Sequence, residues 1–354
     1  MTSFKHGIIS GDNYQKLLEK SHAENYALPA VNVISTSTVN AALEAAAAVG
    51  SDIIIQVSNG GAQFFAGLGA DAFAAKVQGA VSFAIHTRQM AKLYGVGVVL
   101  HTDHANRKLL PWIDALLDEG EAYYKAHGEP LFSSHMLDLS EEPLEENIAT
   151  CKKYLERMSK IGMSLEIELG ITGGEEDGVG SDDVDNARLY TQPEDVLYAY
   201  EQLSPIGSFT VAASFGNVHG VYKPGNVELR PVILKNSQAH VAEKHGLKGN
   251  PLSLVFHGGS GSSQQDIRDA ISYGVFKMNI DTDTQFAFTR PVYDYVMKYK
   301  DRLYRQIGSD SDPEALNKKV IDPRKWLRAG EEQFRDRLIQ AYEDLLGKGK
   351  TIRD

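Results

Sequence analysis

Eight times along this chain a run of apolar residues gives way to a segment with helical periodicity, and few architectures accommodate that rhythm. The strand-like runs fall at Ala30–Ser35, Asp52–Ser58, Gly97–Asp103, Leu131–Leu139, Ser164–Gly170, Phe209–Phe215, Leu252–Gly258 and Val275–Asp281. Helix-like segments follow them, clearest at Thr38–Val49, Gly79–Tyr94, Pro111–Ala126 and Gln264–Tyr273. Runs that are apolar throughout, rather than alternating, suit parallel strands covered on both faces. Gly50, Gly95, Gly128, Gly162, Gly246 and Gly274 stand where a left-handed residue is expected to close a helix. The pattern predicts an α/β protein with a closed (β/α)8 barrel over about residues 26–300; an open doubly wound sheet is the alternative, because periodicity does not prove closure. After Gly308 the rhythm breaks. A polar stretch at Ser309–Lys319 and a helix over Trp326–Leu345 form a C-terminal extension of about residues 309–354. No linker or low-complexity tract intervenes, so residues 1–354 read as a single domain.

Composition narrows the class of partner. The 36 basic and 47 acidic side chains leave a net charge of −11, which argues against nucleic acid or an anionic membrane. No run approaches the ~20 apolar residues of a membrane span, and the first residues carry no basic, apolar leader pattern. Cys151 is the single cysteine, which excludes an internal disulfide or a cysteine-rich metal site; it lies in the helical segment Leu144–Ile161 and reads as a helix-face residue. A reducing, cytoplasmic setting is expected.

The unusual polar residues sit at the ends of their strands, where the mouth of such a barrel binds its ligands. They are Asn32, Ser58, Asp103 with His104, Asp138, Glu168, His219, His257, and Asn279 with Asp281. Of eleven histidines, His104, His219 and His257 each follow an apolar run and precede a loop. Together they fit a three-histidine zinc site with a coordination position left open. His6, His22, His127, His240 and His245 read as surface residues, and His86 and His101 as packing or supporting ones.

Two further segments carry chemistry. His257-Gly258-Gly259-Ser260-Gly261-Ser262 joins a strand to a helix, so its backbone N–H groups and the helix N-terminus make a phosphate cradle. Asn279-Ile280-Asp281-Thr282 supplies donors beside it. In Leu165-Glu166-Ile167-Glu168, the two glutamates share a face. Lys277 is placed to pair with Glu166, although a barrel lysine also raises a Schiff-base chemistry. Thr172–Gly180 is a glycine-hinged acidic loop, either a solvated turn or a lid carrying a general base.

The strings HTDH at 101–104, SSHMLDLS at 133–140, EIELGITGGEEDG at 166–178, FGNVHGVYKPGN at 215–226, VFHGGSGS at 255–262, KMNIDTDTQ at 277–285 and PRKWLRAG at 323–330 resemble class II fructose-1,6-bisphosphate aldolase of the long-chain bacterial and fungal type. The resemblance runs from about Gly7 to about Leu345. It implies a TIM barrel, catalytic zinc, a homodimer, and reversible cleavage of fructose 1,6-bisphosphate to dihydroxyacetone phosphate and glyceraldehyde 3-phosphate. His104, His219 and His257 would hold the zinc, with Asp138 and Glu168 at a second or displaced metal position. Asp103 would move the hydroxyl proton. Glu176, with Glu175 as its rival, would move the proton on the dihydroxyacetone phosphate carbon. Gly220, Gly258, Gly259, Ser260, Asn279, Ile280, Asp281 and Thr282 would bind dihydroxyacetone phosphate, and Asn32 and Ser58 would face the aldehyde half. A potassium or sodium ion would lie near the carbonyls of Val218, Gly220, Gly258 and Ser260. Arg328 would reach the second phosphate in the neighbouring subunit.

The chain departs from the family's usual strings at Ala105-Asn106 and over 180–186, neither of which removes a ligand. A tagatose-bisphosphate aldolase would use the same groups with different hydroxyl stereochemistry. A metal-dependent hydrolase would need no twin phosphate sites, which fits the Gly258–Ser262 loop poorly, and a scaffold without activity would have no reason to keep every ligand.

Overall fold

The computed structural model describes residues 4–170, 190–217, 229–259 and 262–353, together with the backbone of 174–176 and 179–181. Eight parallel strands close on themselves: β2 (Leu28–Asn32), β3 (Ile53–Val57), β4 (Gly97–Thr102), β5 (Ser134–Leu137), β6 (Ser164–Leu169), β9 (Phe209–Ala213), β10 (Leu254–Phe256) and β11 (Val275–Ile280). Closure rests on β11 pairing with β2, where Asn279 lies opposite Ala30 and Ile280 opposite Val31. That pairing excludes the open sheet. All residues of β2, β3, β4 and β11 are buried, which is why their sequences show apolar runs instead of alternation.

Several strands are shorter than their apolar runs. The run Leu131–Leu139 contributes its centre, Ser134–Leu137, as β5, flanked by backbone bonds from Ser133 to Leu100 and from Asp138 to Ala105. A strand of two residues, β1 (Gly7–Ile8), pairs with the lower part of β4, while β5 pairs with the upper part. Residues 174–176 (β7) and 179–181 (β8) form a two-stranded antiparallel ladder, so the acidic loop carries a hairpin.

Helices separate the strands and follow the expected signals. In α2 (Thr36–Val49), Ser35 and Thr38 form a reciprocal cap, and Gly50 closes the helix in a left-handed conformation. The helix α5 (Leu110–His127) opens with Pro111 and ends on Gly128, and α6 (Leu144–Lys160) contains Cys151. Cys151 lies on the inward face of α6, fully buried, and its thiol donates to Asn147. Beyond the barrel, α10 (Thr282–Lys298) and α12 (Pro323–Asp344) pack together, and α12 also lies on α2. The last residues return to the foot of β3, where Asp52 accepts from Thr351 Oγ1 at 2.8 Å and from the Ile352 N–H at 2.7 Å.

Candidate metal centre at the strand ends

The histidines, carboxylates and amides that end β2, β4, β6, β10 and β11 converge. His104 follows β4, Glu168 is in β6 and His257 follows β10; each offers one ligand atom, and the three atoms lie within 4.8 Å of one another. Glu168 Oε2 is 3.5 Å from Nδ1 of both His104 and His257. Asp138 stands behind His104, with Oδ2 3.2 Å from its Nδ1, and is itself held by Ser140 Oγ at 2.7 Å. Two imidazoles and a carboxylate in a buried cluster suit zinc, whose bonds to such atoms are about 2.0–2.2 Å. The donor set therefore fits the ion that the sequence leads one to expect. His219 lies outside the described residues, as do Val218, Gly220 and Ser260.

Asp103 lies beside this cluster, fully buried, and its carboxylate accepts two amide bonds. Asn32 Nδ2 donates to Oδ2 at 2.9 Å and Asn279 Nδ2 to Oδ1 at 3.3 Å. Burial opposes ionisation, but the neighbouring charges of His104, Lys277 and His257, with the Asn32 bond, hold Asp103 down at about 2. A bound cation would supply positive charge of the same sign at this place. Burial likewise opposes charge on His257, yet the hydrogen bonds it donates to Glu166 and Glu168 push it up to about 9. Asp138 is lowered despite burial, by His104 and Ser140.

The chain also uses groups that the sequence reading did not single out. Gln56 donates to Asn32 Oδ1 at 2.6 Å, fixing the amide so that its nitrogen faces Asp103. The signal was a glutamine in the run Ile53-Ile54-Ile55-Gln56-Val57; its meaning depends on Gln56 lying opposite Asn32 across the β2–β3 pairing. Asn217 donates to the His257 carbonyl at 2.9 Å and accepts from the Phe215 N–H, tying the end of β9 to the end of β10.

Other expected residues fall into distinct places. Ser58 caps α3 (Asn59–Ala66), accepting from the Gly61 N–H at 3.0 Å. Gly258 has a φ of 60°, in the left-handed region. A Cβ on Gly259 would collide with the side chain of Met278. The first position favours glycine and the second would need Met278 to shift, and their loop leads into α9 (Gln264–Ser272), capped by Ser263. Ile280 is buried in β11, and Asp281 and Thr282 open α10, whose first turn is tied by Gln285 to Asp281 at 2.8 Å. Two helix N-termini therefore follow neighbouring strands. The backbone of Glu175 and Glu176 lies in β7.

Lys277 forms the predicted pair: Nζ lies 2.8 Å and 2.7 Å from the two oxygens of Glu166. His101 bonds Ser134 and approaches Glu166, and His86 bonds Asn40, in keeping with supporting roles. Arg328 is not among the strand-end residues of its own barrel. It lies on α12 and makes a two-pronged contact with Glu44 of α2 at 2.9 and 3.0 Å.

A model of the family described as fructose-bisphosphate aldolase class-II matches residues 12–350. The chain is 57% identical over 345 residues to fructose-bisphosphate aldolase class 2 of Escherichia coli (strain K12), covering 96% of each. It is 53% identical over 352 residues to fructose-bisphosphate aldolase of Aspergillus oryzae, covering 98% of this chain and 97% of that one. The crystal structure of fructose-bisphosphate aldolase from Campylobacter jejuni superposes with a TM-score of 0.90 at 54% identity, over 99% of this chain and all of the other.

Proposed function

The chain belongs to the class II fructose-bisphosphate aldolase family, and from that membership and the strand-end site we propose that it cleaves fructose 1,6-bisphosphate reversibly into dihydroxyacetone phosphate and glyceraldehyde 3-phosphate. The observation that carries the reading is the joint presence of a buried His104–Glu168–His257 cluster and, beside it, the buried Asp103 carboxylate held by Asn32 and Asn279. The first can hold a Lewis acid; the second can move a proton.

Zinc held by His104 and His257, with His219 completing the set, would polarise the substrate ketone. Asp138 and Glu168, both close to His104 Nδ1, would bind a second divalent ion or the same ion when displaced. Asp103 takes the proton from the substrate hydroxyl in cleavage and returns it to the aldehyde oxygen in condensation. Asn32, Asn279 and, through Asn32, Gln56 hold the carboxylate in one orientation. Glu176 moves the proton on the dihydroxyacetone phosphate carbon, carried on the hairpin between β6 and α7 (Pro193–Leu203), with Glu175 its neighbour on the same strand.

The phosphate of the dihydroxyacetone half would be bound by Gly258, Gly259 and Ser260 ahead of α9, by Ile280, Asp281 and Thr282 at the start of α10, and by Gly220. Helix N-termini and close-approaching backbone N–H groups favour this anion. Carbonyls of Val218, Gly220, Gly258 and Ser260 would hold a potassium or sodium ion. Ser58 and Asn32 face the aldehyde half. Lys277 is bonded to both oxygens of Glu166, which supports a structural charge pair over a Schiff-base nucleophile.

A homodimer completes the reading. Phe286, Tyr293 and Met297 recur on one face of α10 at spacings of seven and four residues, and all are exposed, Phe286 at 65%. A second copy would cover this stripe, and Arg328 on the adjoining α12 would reach the second phosphate across the interface. Among the described residues no helix is long and apolar enough to cross a membrane.

Product analysis tests the assignment. Purified protein given fructose or tagatose bisphosphate at equal concentration should release the two triose phosphates faster from fructose. Faster release from tagatose would reassign the substrate.

A further inference from the structure

His257 presents its two ring nitrogens to two different glutamates. Nε2 lies 3.0 Å from Glu166 Oε1, whereas Nδ1 lies 3.5 Å from Glu168 Oε2, on the side of the metal cluster. Glu166 offers no ligand to that cluster. It is instead anchored from below by Lys277, which holds both carboxylate oxygens at 2.7–2.8 Å, and His101 Nε2 approaches its other oxygen at 3.6 Å. All five side chains are buried, so none of these contacts is shared with bulk solvent.

We infer that Glu166 is a positioning residue: held by Lys277, it accepts the Nε2–H of His257 and thereby fixes the tautomer that turns Nδ1 toward the metal. The inference rests on the zinc reading above. A metal-bound imidazole needs its other nitrogen protonated and oriented, and a carboxylate partner both selects that tautomer and raises the basicity of the ligating atom. Lys277 offsets the carboxylate charge, which in a buried site would otherwise be costly. Spacing explains the arrangement: Glu166 and Glu168 share the inner face of β6 two residues apart, so one reaches the metal and the other reaches the far side of its ligand.

Two measurements test this. The first is zinc affinity, read by competition with a chromophoric chelator, for the whole protein and for Glu166→Gln. Removal of such a partner costs about 10- to 100-fold in metal affinity, and that loss is expected here, with partial recovery in Glu166→Asp. Unchanged affinity in a folded Glu166→Gln protein would overturn the inference while leaving the zinc reading intact. The second needs no variant. In zinc-loaded protein with 15N-labelled histidine, long-range 1H–15N spectra should show His257 protonated at Nε2 and metal-bound at Nδ1. The opposite tautomer would overturn the proposal, and failure of the unmodified protein to take up zinc would instead overturn the reading beneath it.

Discussion

A carboxylate removed from water ordinarily keeps its proton, yet Asp103 is almost wholly buried and remains ionised near neutral pH. Its charge is sustained by His104, Lys277, His257 and the Asn32 amide, the same surroundings that a proton-transferring group next to a Lewis acid requires. Replacing it by alanine should therefore lower kcat by about 10²–10⁴-fold, the usual cost of losing a positioned acid or base, with a much smaller change in KM. Steady-state kinetics and metal content decide the matter together. The variant should keep its zinc, because the ligand atoms belong to neighbouring residues; zinc loss would make Asp103 a ligand.

At the scale of elements, β4 and β5 are joined by more than their backbone ladder. Thr102 Oγ1 and His135 Nδ1 meet at 2.7 Å across the pairing. Burial, then the charge of His101, lowers His135 to about 3. A lowered histidine is neutral in the fold and takes up a proton on unfolding below about pH 6.5, so its contribution is complete above that pH. It is lost as pH falls from about 6.5 toward 3, at up to about 1.4 kcal/mol per pH unit. Urea unfolding from pH 7 to 4 should show a steeper loss of stability in the unmodified protein than in His135→Gln. Equal slopes would remove His135 as a source of acid sensitivity.

The elements also show why some of this was legible in the sequence. Strands buried on both faces write themselves as apolar runs, so a polar residue ending one, such as Asn32, Asp103 or His257, stands out. Gln56 lies within its run and acquires meaning only from Asn32 opposite. The two residues of β1 are too few for any periodicity to show. The count of eight units pointed to closure, but periodicity could not prove it, because it depends on β11 meeting β2, two strands about 250 residues apart in the chain.

For the whole molecule, the proposed dimer makes a distinctive demand. Arg328 pairs with Glu44 and two glutamates of its own helix, contacts that at an exposed position are worth about 0–1 kcal/mol. If it also serves a neighbouring active site, Arg328→Ala should impair fructose bisphosphate cleavage strongly. Enolisation of dihydroxyacetone phosphate, which lacks the second phosphate, should be nearly unchanged. Mixed dimers of Arg328→Ala and Asp103→Ala should regain activity, since one of their two sites then has both residues. Absence of any recovery on mixing would confine Arg328 to its own subunit.

The proposed function requires that a metal at the strand ends, and not a lysine, activate the substrate ketone. Its most direct test is fructose bisphosphate cleavage by protein stripped with a chelator, then resupplied with zinc or cobalt, with borohydride added in parallel. Stripping should abolish cleavage, either metal should restore it, and borohydride with substrate should leave the chain unmodified. Cleavage that survives stripping, with a borohydride-trapped adduct on Lys277, would contradict it.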